Sequence, residues 1–389
     1  MRVRSLVVVA LLAVAQPVLA VFVCGDGSPA SAAADVPPSP LAPDYSPTAD
    51  ADPQAAATAL AWREYQDSVF AALRDSAEPR DWALAVLVRG APIDTTQPSG
   101  TPPDLLQRAV RAGPNDAIVQ WIAVMQSQRH DSHVSAMESS QALQRIEPEN
   151  AAVWLTDLAN AMRQQDRDAV DGILARMSTG TRFDTHYSEL TRAVAEAYQR
   201  QPVPASYLAL DSDTQHFNTS PDVLPLTAAT AVVAAFAFPP LQELINACRI
   251  NAKTGDNAQR AGDCAAIARL MIARGDTMVA NRLGAALLRV SNTVTDEDRN
   301  VVRNQDWIYQ KYLAQVSKWD NPDAADEVTA HIQDTINSPT ELEAMRRTLA
   351  RSGTLSAPTS DWVDAYTPFA AENLQRDVEW FDKNPQPTK

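Results

Sequence analysis

Five histidines and three cysteines bound the side-chain chemistry open to this chain. His130-Asp131-Ser132-His133 is the one place where two imidazoles stand close in sequence. Two histidines three apart on a helix can share a metal ion, but zinc sites need further ligands at regular spacing. No HExxH-type carboxylate pattern surrounds this pair, and the segment reads as the inner turn of a helical hairpin. His186, His216 and His331 stand alone, which points to structural or solvent-facing roles. No GxSxG elbow, phosphate-binding glycine loop or GxGxxG fingerprint occurs, so no catalytic residue, metal or cofactor is expected.

The cysteines say more. Cys248 and Cys264 lie in LINACRI and AGDCAAIA, on either side of a polar stretch from Asn251 to Asp256 that reads as a turn between helices. Each is eight residues from Asp256, and residues equidistant from the turn of an antiparallel hairpin meet at one height. A disulfide is geometrically open to them if they face each other and the compartment is oxidising; otherwise they are two buried thiols. Closing a loop of this size contributes on the order of 3 kcal/mol by restricting the unfolded chain. Cys24 is left over, either acylated in a lipoprotein or free in a tether. Val23 stands before it, where Gly, Ala or Ser is usual in lipoproteins.

These residues must be held by helices. Of 389 residues 45% are hydrophobic, enough for a large core, while 12 glycines and 6% aromatics disfavour a sandwich or barrel. The expected fold class is all-α, with stacked helical hairpins forming an α-solenoid-like or irregular array. Residues 1–20 combine Arg2 and Arg4, an apolar run from Leu6, a break at Pro17 and small residues at Val18-Leu19-Ala20. That is the layout of a secretory signal peptide, although the apolar run also suits an uncleaved anchor. Residues 21–53, rich in Pro, Ala, Ser and Asp, cannot bury enough apolar surface to order themselves and read as a linker. A helical array is expected over 54–220 and a second helical region over 221–384. The net charge of −15 becomes −17 once Arg2 and Arg4 leave with the leader. Such a surface repels nucleic acid and anionic lipid, leaving the N-terminus as the route to a membrane tether.

Periodicity supports the helices. Trp62, Tyr65, Val69 and Leu73 form one stripe, and Pro79 suits a helix start. Val301, Gln305, Ile308, Tyr312 and Val316 form another behind Asp296, Glu297 and Asp298. Ser338-Pro339-Thr340-Glu341 reads as a capping box with proline at the first helical position, and Gly353 as a left-handed stop. The apolar run Leu226–Phe238 is too short to cross a bilayer and reads as a buried helix. Most of the eight tryptophans are expected in the core or between helices.

A repeat lies in the middle of the chain. Pro114-Asn115-Asp116-Ala117 and Pro148-Glu149-Asn150-Ala151 are 34 residues apart, with Trp121 and Trp154 behind them. Over residues 104–180 this spacing resembles the tetratricopeptide repeat, a 34-residue helix–turn–helix. Gly275-Asp276 with Ala280 is similar to that family's inner turn. The resemblance implies hairpins that stack into a curved array whose groove binds a peptide or protein.

Met137-Glu138-Ser139 also has the glutamate-serine pair of superhelical lytic transglycosylases, without the Gly-Leu-Met-Gln element that follows it there. The expected function is therefore an exported cell-envelope binding module or scaffold that holds a protein or peptide partner. Its alternatives are an envelope glycan- or peptidoglycan-acting hydrolase with dispersed carboxylates such as Glu138 and Glu147, and an acidic inhibitor or immunity-type protein.

Overall fold

The computed structural model describes residues 53–89, 105–127, 136–205, 207, 223–236, 239–254, 258–290, 294–319, 324–354, 357–359 and 362. The leader, Cys24, nearly all of the linker, the loop over 90–103, the His130/His133 pair, His216, Trp380 and the turn at Gly255-Asp256 lie outside them.

Among the described residues the fold is all-α, as expected. It comprises α1 (Pro53–Arg74), α2 (Pro79–Arg89), α3 (Leu105–Ala112), α4 (Ala117–Ser127) and α5 (Ala136–Ile146). A 3-10 turn (Ala151–Trp154) leads into α6 (Leu155–Gln164), α7 (Arg167–Ser178) and α8 (Tyr187–Gln199). There follow α9 (Leu224–Phe236), α10 (Leu241–Thr254), α11 (Ala258–Arg274), α12 (Met278–Val290), α13 (Asp296–Val316), α14 (Ala325–Asn337) and α15 (Glu341–Arg351). No strand occurs among the described residues, and none of their helices is long and apolar enough to cross a membrane.

Helices adjacent in sequence pair as α1–α2, α4–α5, α6–α7, α11–α12 and α14–α15. The pairs then stack: α2 on α4, α5 on α6, α7 on α11, and α13 on α15. Helix α8 packs on α9 and α14 and also on α1 and α2. It therefore links the last hairpin to the first. The burial pattern of α8 fits that place, since Tyr187, Leu190, Thr191, Val194, Ala195, Ala197 and Tyr198 are all buried. A polar stripe of Glu189, Arg192, Glu196 and Gln199 stays exposed, so α8 is an amphipathic helix with a broad buried face. One core cluster runs from Tyr65 to Leu349.

Local signals match in detail. Tyr65, Val69 and Leu73 are buried and Trp62 packs at the edge of the core, stacked on Tyr198 with ring centroids 5.9 Å apart. Thr295 and Asp298 cap each other's backbone at the start of α13. Gly353 ends α15 at φ +69°. Trp121 and Trp319 are fully buried. Helix α9 covers most of the apolar run, with Leu226, Ala229 and Val233 inside.

Two local expectations need correction. The stripe of α13 is shifted: Val302 is buried and Val301 is 39% exposed, because Trp307 as well as Ile308 turns inward. The cap of α15 is Thr340, whose hydroxyl accepts from Glu343 N–H, and not Ser338. Pro339 therefore precedes the helix, and Glu341 is its first residue.

Candidate functional site

The turns Pro114–Asp116 and Pro148–Asn150 share a role as well as a spacing. Asp116 Oδ1 accepts from Ile118 N–H at 2.9 Å, and Asn150 Oδ1 accepts from Ala152 N–H at 3.2 Å. Thirty-four residues beyond Asn150, Asp184 Oδ1 accepts from His186 N–H at 2.8 Å. Each is a short polar side chain capping the N–H two residues ahead, which satisfies an orphan donor at a helix start.

Asp184 belongs to the connection between α7 and α8, whose residues Arg182 and Phe183 are threaded between two turns. Ala151 N–H donates to Arg182 O at 2.9 Å, and Asp276 N–H donates to Phe183 O at 3.2 Å. Asn150 Nδ2 donates to Asp184 O, and its Oδ1 accepts from Asp184 N–H, both at 2.9 Å. The segment thus gains on both edges the main-chain partners that buried backbone requires.

The segment delivers His186 into the interior. Its φ of +59° is unusual for a residue with a Cβ. Nε2 lies 3.1 Å from Glu147 Oε2 at the end of α5, and Nδ1 lies 3.6 Å from Glu189 Oε2 on α8. Both ring nitrogens face carboxylate oxygens, so the ring is an imidazolium. Burial opposes that charge, yet the hydrogen bond to Glu147 and the neighbouring carboxylates of Glu189 and Asp184 prevail and push His186 up to about 10. Burial likewise opposes ionised Glu147, but His186, Asn150 and Arg182 hold it down at about 2. The charges alternate outward in both directions. Glu147 pairs with Arg182 at 3.0 Å and Arg182 with Asp184 at 3.1 Å. Glu189 pairs with Arg80 at 3.0 Å and Arg80 with Asp116 at 2.9 Å. The Trp121 ring meets His186 edge-on, centroids 5.5 Å apart.

On the other side of the segment sits Asp276, in the turn between α11 and α12. It accepts from Thr185 Oγ1 at 2.9 and 3.1 Å and from Tyr187 N–H at 3.0 Å, so it caps α8 from a distant element. Glu341 does the same for α12, accepting from Met278 N–H at 2.6 Å. The N-termini of α8, α12 and α15 therefore meet here. Helix N-termini favour nearby carboxylates, which offsets part of the cost of burial.

A second buried histidine, His331, has its Nε2 2.8 Å from Tyr312 Oη and its Nδ1 2.9 Å from Thr348 Oγ1, against the Trp319 ring. Burial, with Arg351 nearby, pushes it down to about 3 and keeps it neutral.

Cys248 and Cys264 form a disulfide, S–S 2.11 Å, tying α10 to α11. Glu138 and Glu147 are not brought together: Glu138 is exposed in the first turn of α5, and Glu147, just past its end, is committed to His186. Nine residues of helix separate them by about 13 Å. His186 and His331 are both buried and hydrogen-bonded within the fold, where isolation in sequence had left structural and solvent-facing places open. Sequence reasoning missed Asp184, and it placed Asp276 in a turn and Glu341 at a helix start without bringing them to this junction. Continuing the 34-residue spacing from Asp116 through Asn150 finds Asp184, but no local signal gives the long-range partners of the other two. Among the described residues, no three His, Cys, Asp or Glu side chains gather in a metal-binding arrangement.

No family model, curated protein or solved structure matches this chain.

Proposed function

We propose that this protein is an exported binding module or scaffold of the cell envelope, holding a protein or peptide partner on an array of tetratricopeptide-like helical hairpins. What carries this proposal is the destination of the polar chemistry. His186, Glu147, Asp184 and Asp276 bond to one another, to neighbouring chain segments and to helix termini inside the fold. Groups so engaged hold helices in register, and the helix faces are what the molecule offers to a partner. Export is supported by the Cys248–Cys264 disulfide, since such bonds persist in oxidising compartments, and by the signal-like start of the sequence. The acidic balance favours partners that are not nucleic acids and speeds encounter with basic ones. Acylation at Cys24 would tether the molecule to a membrane.

Immobilised full-length mature protein, exposed to envelope extract, should retain a reproducible protein partner. Failure to retain one, together with turnover of peptidoglycan or another glycan that Glu138→Gln abolishes, would replace binding with hydrolysis.

A further inference from the structure

Helix α13 carries Arg303, Trp307 and Lys311 at intervals of four residues, so all three share one face. Trp307 is buried, and the Lys311 ammonium lies over its ring, 4.4 Å from the centroid. The face therefore carries a tryptophan with a cation one turn to either side, on a chain whose net charge is −15.

The chain's own C-terminal stretch is seated there. Trp362 meets Trp307 edge-on, ring centroids 5.4 Å apart and planes at 87°. The Arg303 guanidinium lies 5.7 Å from the centre of the Trp362 ring. It also donates to Thr359 O at 2.7 Å and to Trp362 O at 2.8 Å. Trp362 N–H donates to Thr359 O at 3.1 Å, which makes a turn whose first and last carbonyls face one guanidinium. Among the described residues, a partly buried ring and two main-chain carbonyls join this stretch to α13. Regions so poor in buried apolar contacts open at small free-energy cost.

The charges match as well. Asp361 and Asp364 flank Trp362 and Val363 in sequence, giving acid–Trp–apolar–acid opposite a cationic, aromatic face. Eighteen residues on, Glu379-Trp380-Phe381-Asp382 repeats this signature. The chain thus carries two segments of one type and, on α13, a face that seats one of them.

We propose that the Arg303–Trp307–Lys311 face of α13 is the docking surface for a partner's acid–Trp–apolar–acid segment, and that the chain's own Trp362 occupies it in cis until the partner displaces it. The proposal rests on reading the protein as a binding module. Tryptophan and arginine are the residues that most often anchor interfaces. Arg303 fixes the turn through its carbonyls, the Trp307 ring fixes the incoming tryptophan, and the two cations select acidic neighbours for it. A tethered Trp362 acts at an effective concentration on the order of millimolar, which keeps poorly matched segments out.

The test titrates full-length protein with a fluorescent synthetic peptide of residues 357–366 and follows its anisotropy. The double variant Trp362→Ala/Trp380→Ala removes both tethered tryptophans. It should bind the peptide about tenfold or more tightly than wild type, because the competitor in cis is gone. Adding Arg303→Gln or Lys311→Glu to it should weaken binding by about tenfold. An unlabelled peptide of residues 375–385, centred on Trp380, should compete for the site. In wild type alone, saturating 375–385 peptide should speed hydrogen exchange at Trp362 N–H while α13 stays protected. Equal binding to wild type and the double variant, or binding indifferent to Lys311→Glu, would overturn the docking surface. So would exchange at Trp362 unchanged by saturating peptide, a result that stands even if a variant does not fold. The titration needs no envelope partner, so its failure removes this surface alone, whereas an envelope extract that yields no partner bears on the wider reading.

Discussion

His186 Nε2 sits 3.1 Å from Glu147 Oε2 across 39 residues of sequence, and this contact fixes where α8 begins. The imidazolium is nearly inaccessible, and Glu147 is almost as deep. Removing one partner of a buried, hydrogen-bonded charge pair strands the other, at a cost of about 3–5 kcal/mol. Glu147→Gln and His186→Gln are each expected to lower unfolding stability by that amount in urea denaturation at pH 7. A loss below about 1 kcal/mol would mean that the pair is no more than a surface ion pair in effect.

The same contact sets an alkaline limit. His186 is raised from 6.5 to about 10 in the folded protein. The stability held by its proton is therefore complete below 6.5 and is lost as pH rises through about 10. Wild-type stability should decline between pH 7 and 10, while His186→Gln, weaker at the outset, should be flatter over that range. Equal slopes would contradict the pairing.

The disulfide bridges residues 16 apart on α10 and α11. Replacing both Cys248 and Cys264 by serine should cost about 3 kcal/mol, the loop-closure contribution of so short a loop. Thermal unfolding with and without reductant checks this, and reductant should leave the double variant unmoved.

Helices α11 and α12 approach closely at Gly284, where a Cβ would come within 2.7 Å of Ala268 O and 2.8 Å of Met271 Cβ. Gly284→Val forces the hairpin apart and should cost about 1–3 kcal/mol. Gly172, with open space around the same position, should accept alanine without loss in the same denaturation assay.

Helices were legible in the sequence wherever one face meets the core. Tyr65, Val69 and Leu73 announced α1 by spacing alone, and they are buried. Caps were legible to within two residues: Thr340 serves α15 where Ser338-Pro339 was the expected start, since Ser338 is drawn into the core. The Cys248–Cys264 bridge followed from equal distances about a turn. The polar junction was not legible. Thr185 and Asp276 are 91 residues apart, and Met278 and Glu341 are 63 apart. These contacts join elements distant in sequence, and no local window carries them. Repeat periodicity describes neighbours and is silent on a helix such as α8, which packs on both the first and the last pairs.

The central claim is that this array works outside the cytoplasm, locked by one disulfide. Intact mass spectrometry of protein recovered from the envelope, alkylated before and after reduction, tests it most directly. The expected result is a chain lacking about its first twenty residues, consistent with signal-peptide processing, in which Cys248 and Cys264 become alkylated only after reduction. A full-length chain with every thiol alkylated before reduction would contradict it.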